Sequence, residues 1–426
     1  MSLIETNPKH TERALLVGVM VRGVTDEWDA RDTLDELAQL AESAGAEVAG
    51  RMLCKQDKIH AAHFISKGKV EELARQAEEC DANLVIFDED LSPAQGRNLE
   101  EVLDIRVLDR TQLILDIFAR RARTREGCLQ VELAQHRYLL PRLRRMWTHL
   151  ERQAGGIGLK GPGETQIEMD RRRIQDLIRT LTKELELVRT RRAEQRRGRQ
   201  RHGWALVSIV GYTNAGKSTL LNRLAGAEIY AQDQLFATLD PTTRQVELPN
   251  GEPCLMTDTV GFIRKLPHHL VDSFKATLEE VVEADLILHV IDCAHPQVEQ
   301  QIAAVNTVLK EIGAENKPVF CVLNKIDKDA GRNVARQLGN TLLRSAAVSA
   351  LTGEGVDDLL AGLADALKGH KTLMKLAIPM SEGRLLAQLQ NSATVLEEKY
   401  EGEFAELLVR VPAPLVPRCE PYLAGE

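Results

Sequence analysis

Eight residues constrain this chain more than any others. The stretch GYTNAGKS, Gly211–Ser218, has the spacing Gly-x-x-x-x-Gly-Lys-Ser. The β-prone run ALVSIV precedes it and the amphipathic run TLLNRLAG follows it. A loop in that setting curls its backbone N–H groups around an anion, and the helix behind it adds its positive end. Tyr212, Thr213, Asn214 and Ala215 supply loop amides, and Gly211 and Gly216 allow the tight path. Lys217 is expected to reach the β- and γ-phosphates of a nucleotide, and Ser218 to ligate Mg2+. A strand, a loop and a helix in this order commit the region to an α/β layer.

Three further motifs follow at strand tips. Asp258-Thr259-Val260-Gly261 ends an apolar run about forty residues on. An Asp there can hold the Mg2+ shell, and a Gly can offer its N–H to a γ-phosphate at close approach. In Ras-type GTPases the next residue is a Gln that orients the attacking water. Here it is Phe262, which cannot do so. Asn324-Lys325-Ile326-Asp327 follows the run PVFCVL. A carboxylate there accepts from both N1–H and the 2-amino group of guanine, and adenine offers neither. Ser349-Ala350-Leu351 follows another short strand, with backbone N–H groups suited to guanine O6.

The rest of the chain gives the setting. Residues 14–118 alternate strand-like and helix-like runs, the rhythm of a parallel sheet with covering helices. The strands are read at Leu15–Val21, Glu47–Cys54, Asn83–Phe87 and Arg106–Leu108. Leu129, Leu133, His136, Leu140, Leu143, Trp147 and Leu150 step by three and four, as do Ile174, Ile178, Leu181, Leu185 and Val188. Two such stripes imply two helices along a seam, the first kinked at Pro141. Between them GGIGLKGPGETQIE, residues 155–168, reads as non-helical. Residues 203–368 form a second α/β region, and beyond about Lys371 a strand, a helix and two strands form a tail unit. The expected division is therefore an α/β domain over 1–118, a helical hairpin over 119–202 with a Gly-rich tip at 155–163, a nucleotide-binding α/β domain over 203–370, and a small α+β domain over 371–426.

Charge is unevenly spread. Residues 120–201 hold 22 Lys and Arg against 10 Asp and Glu, while the remainder holds 33 against 53. An acidic chain with one Arg-rich insert points to a polyanionic partner. Arg142, Arg144, Arg145, Lys160, Arg171, Arg172 and Arg173 are the candidate RNA contacts, since Arg forks take phosphate bidentately. Two plainer readings stay open: a solvated helix with internal salt bridges, and a Gly-rich linker at the tip. No run of about 18 apolar residues suggests a membrane span. The N-terminus does not read as a secretory signal, and seven scattered cysteines suit reduced core residues in the cytoplasm.

The order of the four nucleotide motifs resembles the GTPase branch of P-loop proteins. GYTNAGKSTLLNRL, FATLDPTTR, DTVGFI, NKID, GGIGLKGPGETQIE, IPMSEGRLLAQL and FISKGKVEEL together resemble the HflX family of GTPases. The likeness covers the chain apart from about the first ten residues and the extreme C-terminus. It implies that Phe236, Ala237, Thr238, Leu239 and Asp240 form the first switch, with Thr238 completing the Mg2+ shell. Thr242 and Thr243 remain alternatives, although β-branched residues after Pro241 also suit the start of a strand. The likeness further implies GTP and GDP as ligands, Mg2+ as cofactor and the large ribosomal subunit as partner. The implied action is the separation of stalled or idle ribosomes by a cytoplasmic monomer. Lys217, Gly261 and Thr238 are the expected catalytic groups, with Arg244 and Arg264 as further charge stabilisers. An ATP-driven RNA remodeller working through the N-terminal domain is the competing reading. Residues 1–120 hold no complete P-loop, however, and SKGKVEEL reads as a helix start capped by Ser66, where the family pattern has a second Gly. A GTP-sensing scaffold without catalysis is a third.

Overall fold

The computed structural model describes residues 12–23, 30–143, 162–200, 204–226, 235–236, 238–265, 274–367, 371–412 and 415–424. The chain forms two compact units. The first comprises residues 1–185 with 233–239 and 265–274, and the second comprises 186–232, 240–264 and 275–426.

In the first unit, β1 (Arg13–Val21), β2 (Glu47–Gln56), β3 (Leu84–Phe87) and β4 (Arg106–Leu108) make a parallel sheet in the order β2-β1-β3-β4. Ala14, Leu15, Leu16 and Val17 are all buried, as a strand covered on both faces requires. Four helices cover it: α1 (Ala30–Ser43), α2 (Lys67–Glu79), α3 (Pro93–Leu103) and α4 (Arg110–Arg121). α3 starts with Pro93 behind a Ser92–Gln95 capping box. Ser66 does occupy the cap position of α2, but its side chain makes no capping hydrogen bond. α5 (Arg125–Leu139) and α6 (Pro162–Gln200) follow, α6 belonging to this unit as far as Leu185. Leu129 and Leu133 pack against Ile178, Leu181 and Leu185, the seam that the two stripes predict.

Three expectations change here. α5 stops at Leu139, so Pro141 follows a helix end instead of kinking a longer helix. Trp147 and Leu150 lie outside the described residues, as do 155–161 of the Gly-rich segment. Residues 162–168, read as non-helical, begin α6. Pro162 takes a first-turn position, where its missing N–H costs nothing, and past Gly163 the run holds good helix formers.

Two distant segments also belong to the first unit. Phe118 meets Phe236 edge-on with ring centroids 4.7 Å apart, and Phe274 likewise at 4.9 Å. Lys265 Nζ lies 3.3 Å from Asp88 Oδ2 and also pairs with Glu89. Asp88 further binds the buried Arg110, whose guanidinium also holds Glu36.

The second unit carries a six-stranded sheet of β5 (Ala205–Gly211), β6 (Thr242–Glu247), β7 (Pro253–Asp258), β8 (Leu286–Asp292), β9 (Val319–Asn324) and β10 (Ser345–Ala347). Its order is β10-β9-β8-β5-β7-β6, parallel except for the β6–β7 hairpin. Strand order reverses at β5, which pairs with β7 on one side and β8 on the other. Ligands of open α/β sheets bind beyond the carboxyl ends of strands at such a reversal. α7 (Lys217–Leu224), α8 (Lys275–Glu283), α9 (Val298–Glu311), α10 (Asp329–Gly339) and α11 (Val356–Leu367) complete the layers. A separate antiparallel sheet of β11 (Lys371–Pro379), β13 (Phe404–Pro412) and β12 (Thr394–Glu401) follows, in the order β11-β13-β12. Leu376, Ile378, Leu407 and Val409 bury its inner face against Leu385 and Leu389 of α12 (Gly383–Ser392).

Cys54, Cys254, Cys293 and Cys419 are buried, whereas Cys128 is exposed on α5 and is not a core residue. Among the described residues no helix is long and apolar enough to cross a membrane.

Candidate nucleotide site

The four motifs read along the second α/β region converge at one edge of the six-stranded sheet. β5 ends at Gly211, β7 at Asp258 and β9 at Asn324, and Ser349 lies two residues past β10. Because these strands are parallel, their carboxyl ends share that edge.

The phosphate loop is built as its residues require. Gly216 has φ +95, and a Cβ there would lie 2.4 Å from Asn324 Nδ2. Lys217 opens α7 and is 6% exposed, yet among the described residues its Nζ bonds only carbonyls, Gly211 O at 3.2 Å and Tyr212 O at 2.8 Å. Burial lowers its pKa to about 8, against the opposing pull of Asp258. A buried ammonium hydrogen-bonded to carbonyl dipoles is costly, and an anion placed against it relieves that cost. Burial, together with Lys217 nearby, also lowers His289 on β8 to about 4, so that imidazole is neutral. Among the described residues, Thr213 Oγ1 is buried with no hydrogen bond.

Ser218 Oγ donates to Asp258 Oδ2 at 2.6 Å. Two hard oxygen donors side by side at a phosphate loop suit Mg2+, which takes one or two protein ligands and keeps water or phosphate for the rest. No cluster of three or more His, Cys, Asp or Glu suited to caging a metal occurs among the described residues, so such an ion would share its shell with substrate.

The Asp258–Gly261 segment lies on the loop itself. A Cβ on Gly261 would come within 3.0 Å of Lys217 Nζ and 2.9 Å of Thr213 Cγ2. Thr259 Oγ1 donates to Ile209 O at 2.7 Å. Phe262 is 1% exposed and stitched to the loop by its backbone. Its N–H donates to Gly211 O at 3.1 Å, and its carbonyl accepts from Thr213 N at 2.7 Å. Arg264 N donates to the Tyr212 hydroxyl at 2.9 Å. Arg244 lies on β6 with a buried Nε that finds no acceptor among the described residues.

Asn324 ties the loops together: its Nδ2 donates to Ala215 O at 2.8 Å, and its Oδ1 accepts from Ala350 N at 3.0 Å. The Ala350 amide, expected to face guanine O6, is thus shared with Asn324. Asp327 is exposed, with Oδ1 accepting from Ser349 Oγ at 2.7 Å. Lys325 has φ +67 and pairs with Asp292 at 2.6 Å. Leu351 is 69% exposed.

Other expected residues fall elsewhere. Phe236, Thr238 and Leu239 belong to the first unit, Asp240 to the second, and Ala237 lies outside the described residues. Phe236 is buried with φ +54. Of the candidate RNA contacts, Arg172 and Arg173 are exposed on α6 and Arg171 is half-buried. Arg144, Arg145 and Lys160 lie outside the described residues. Arg142 is corrected: its guanidinium turns inward, 2.8 Å from Asp109, 2.9 Å from Leu91 O and 3.4 Å above the Tyr138 ring. A buried carboxylate, whose pKa burial raises, has claimed that arginine.

A buried lysine at a Gly-rich strand-to-helix loop, with Asp258, Asn324 and Asp327 at the neighbouring strand ends, marks this fold as that of a P-loop GTPase. Residues 31–119 match the family described as "GTP-binding GTPase N-terminal", 121–199 "GTP-binding GTPase Middle Region", and 206–325 "50S ribosome-binding GTPase". "GTPase HflX" of Escherichia coli (strain K12) is 47% identical over 94% of this chain and 94% of its own length. The protein of that name in Magnetococcus marinus is 47% identical over 97% and 95%. The chain belongs to the HflX family of GTPases, and is a GTP hydrolase. A solved GDP complex named SsGBP aligns over 83% of this chain and 98% of its own, at 25% identity and a TM-score of 0.47.

Proposed function

We propose that this GTPase binds the large ribosomal subunit in its GTP state and separates stalled or idle ribosomes into subunits, with hydrolysis raised by the ribosome. The observation that carries the reading is the presence, in one chain, of a nucleotide switch site and a 39-residue Arg-rich helix, α6, exposing Arg172 and Arg173. Arginine on an extended helix face suits RNA phosphates. The match of residues 206–325 to a family described as ribosome-binding supports the same partner.

Within this reading Gly211–Ser218 cradle the phosphates, Asn324–Asp327 and Ser349–Leu351 hold the base, and Phe236–Asp240 and Asp258–Gly261 are the switches. Lys217 neutralises charge developing on the β–γ bridge, and the Gly261 N–H steadies the γ-phosphate. Ser218 and Thr238 would hold Mg2+, which supplies charge neutralisation when bound. Arg244 and Arg264 are further charge stabilisers. Phe262 is committed to packing, so intrinsic hydrolysis is slow and waits for a partner that orders the switches. The protein acts as a cytoplasmic monomer.

Sedimentation with ribosomes and isolated subunits under GTP, GDP and a non-hydrolysable analogue tests this. The expected result is co-sedimentation with large subunits under GTP or the analogue, weaker under GDP, with intact ribosomes shifting to subunits and GTP turnover rising. Neither binding nor stimulation with any ribosomal particle would overturn it.

A further inference from the structure

Two arginines outside every nucleotide motif brace the loops assigned to the base. Arg332, in the first half of α10, donates through Nε to Ile326 O at 3.2 Å and through Nη2 to Glu354 Oε2 at 2.8 Å. The Glu354 carbonyl accepts the Ser349 N–H at 2.9 Å. One guanidinium therefore joins the backbone of the Asn324–Asp327 loop to the residue that closes the Ser349 loop. Arg223, in the last turn of α7, donates through Nε to Ala350 O at 3.3 Å and through Nη2 to Leu351 O. The helix that begins with Lys217 thus grips the opposite loop by its far end.

These loops need outside support. Asp327, Lys328 and Leu351 are exposed, Lys325 has φ +67, and the segment after Asn324 is irregular until α10. A carboxylate that must meet two donors on one base edge has to be held to within a fraction of an ångström. Arg332 and Glu354 are each 45% exposed, so their pair adds little to folding stability. Its effect falls on loop placement.

We propose that Arg332, Glu354 and Arg223 are positioning residues for the guanine base, fixing where Asp327 and the Ala350 amide sit. All three thereby set the lifetime of bound nucleotide, and Arg332 with Glu354, through Asp327, also sets discrimination in favour of the 2-amino group. The idea rests on the assignment of Asn324–Asp327 to the base, and it is independent of any ribosomal partner.

The test measures dissociation of a fluorescent GDP analogue from the full chain, together with competition by GDP and by inosine diphosphate, which lacks the 2-amino group. Arg332→Ala and Glu354→Gln should each speed GDP release roughly five- to tenfold, the scale set by one hydrogen bond. Inosine diphosphate should lose less, so the GDP-to-IDP preference narrows. The double variant should release GDP no faster than the stronger single one, as coupled residues do. Arg332→Lys should recover only part, because a single ammonium does not reproduce the fork. Arg223→Ala, which loosens the loop facing O6, should weaken GDP and inosine diphosphate alike, since both keep O6, and should add to Arg332→Ala, since they hold different carbonyls. Release within about twofold of the parent in Arg332→Ala and Glu354→Gln would overturn the proposal, being below the scatter of independent sites. Equal losses for GDP and inosine diphosphate with a lowered Tm in Arg332→Ala and Glu354→Gln would overturn it too, marking a purely structural brace. Asp327→Asn is the separate control: if it leaves guanine preference intact, the base assignment itself fails.

Discussion

The two parallel sheets place buried cations near their strand ends and use them in opposite ways. In the first unit Arg110, 1% exposed, meets Asp88 at 2.6 Å and Glu36 at 2.5 Å. In the second, Lys217, 6% exposed, is hydrogen-bonded among the described residues only to two backbone carbonyls. Charge around Arg110 is closed within the protein. Around Lys217 it is open to an external anion. An α/β layer alone therefore does not make a ligand site; the balance of charge at the strand tips decides.

Neutralising each cation in turn separates the two uses. Arg110→Met should cost about 3–5 kcal/mol, because it takes the buried guanidinium away from two buried carboxylates, Asp88 keeping its pairing with Lys265. Denaturant melting measures that loss, and a neutral outcome would break the contrast. Lys217→Met should leave the nucleotide-free protein at least as stable, while lowering GTP hydrolysis by roughly a hundredfold or more, as for loss of one charge-stabilising donor. Retained turnover would remove Lys217 from catalysis.

Phe262→Gln sharpens the contrast between packing and chemistry in the switch segment. It should destabilise by about 1–3 kcal/mol, the cost of a buried amide without partners, and should not create a fast free enzyme. A large ribosome-independent gain in turnover would show that the side chain reaches the attacking water.

The smallest effect is a pH dependence. Lys217 in the free protein has its pKa lowered to about 8, below its unfolded value. Its contribution to folding is fully present above the unfolded value and is lost as pH falls through about 8. Bound phosphates favour the protonated form. GDP affinity should therefore decline as pH rises above about 8, by at most about tenfold per pH unit. Titration calorimetry on Lys217→Met, which should lack that slope, is the check.

Much of this was legible in the sequence because strand tips and motifs coincide. ALVSIV became β5, the run Arg106–Leu108 became β4 with those bounds, and the Leu129/Leu133 and Leu181/Leu185 stripes do meet. What stayed hidden depends on distant partners. Arg142 reads like its neighbours in RLRR, and Asp109, 33 residues earlier, helps turn it inward together with Leu91 O and the Tyr138 ring. Arg223 and Arg332 look like solvated helix residues until Leu351 and Glu354 are beside them. The grouping of residues 233–239 and 265–274 with the first unit left no local trace, since an aromatic such as Phe236 reads the same whatever ring it meets. Pro162–Glu168 was misread because five glycines in the segment outweighed a good helix start at its end.

The backbone stitch between Phe262 and the phosphate loop has a consequence in proton exchange with solvent. The amides of Phe262 and Thr213 give their hydrogens to Gly211 O and Phe262 O. The phosphate loop and the end of the Asp258–Phe262 segment therefore open to water as one event. A bound nucleotide that contacts only the loop should slow deuterium uptake across both.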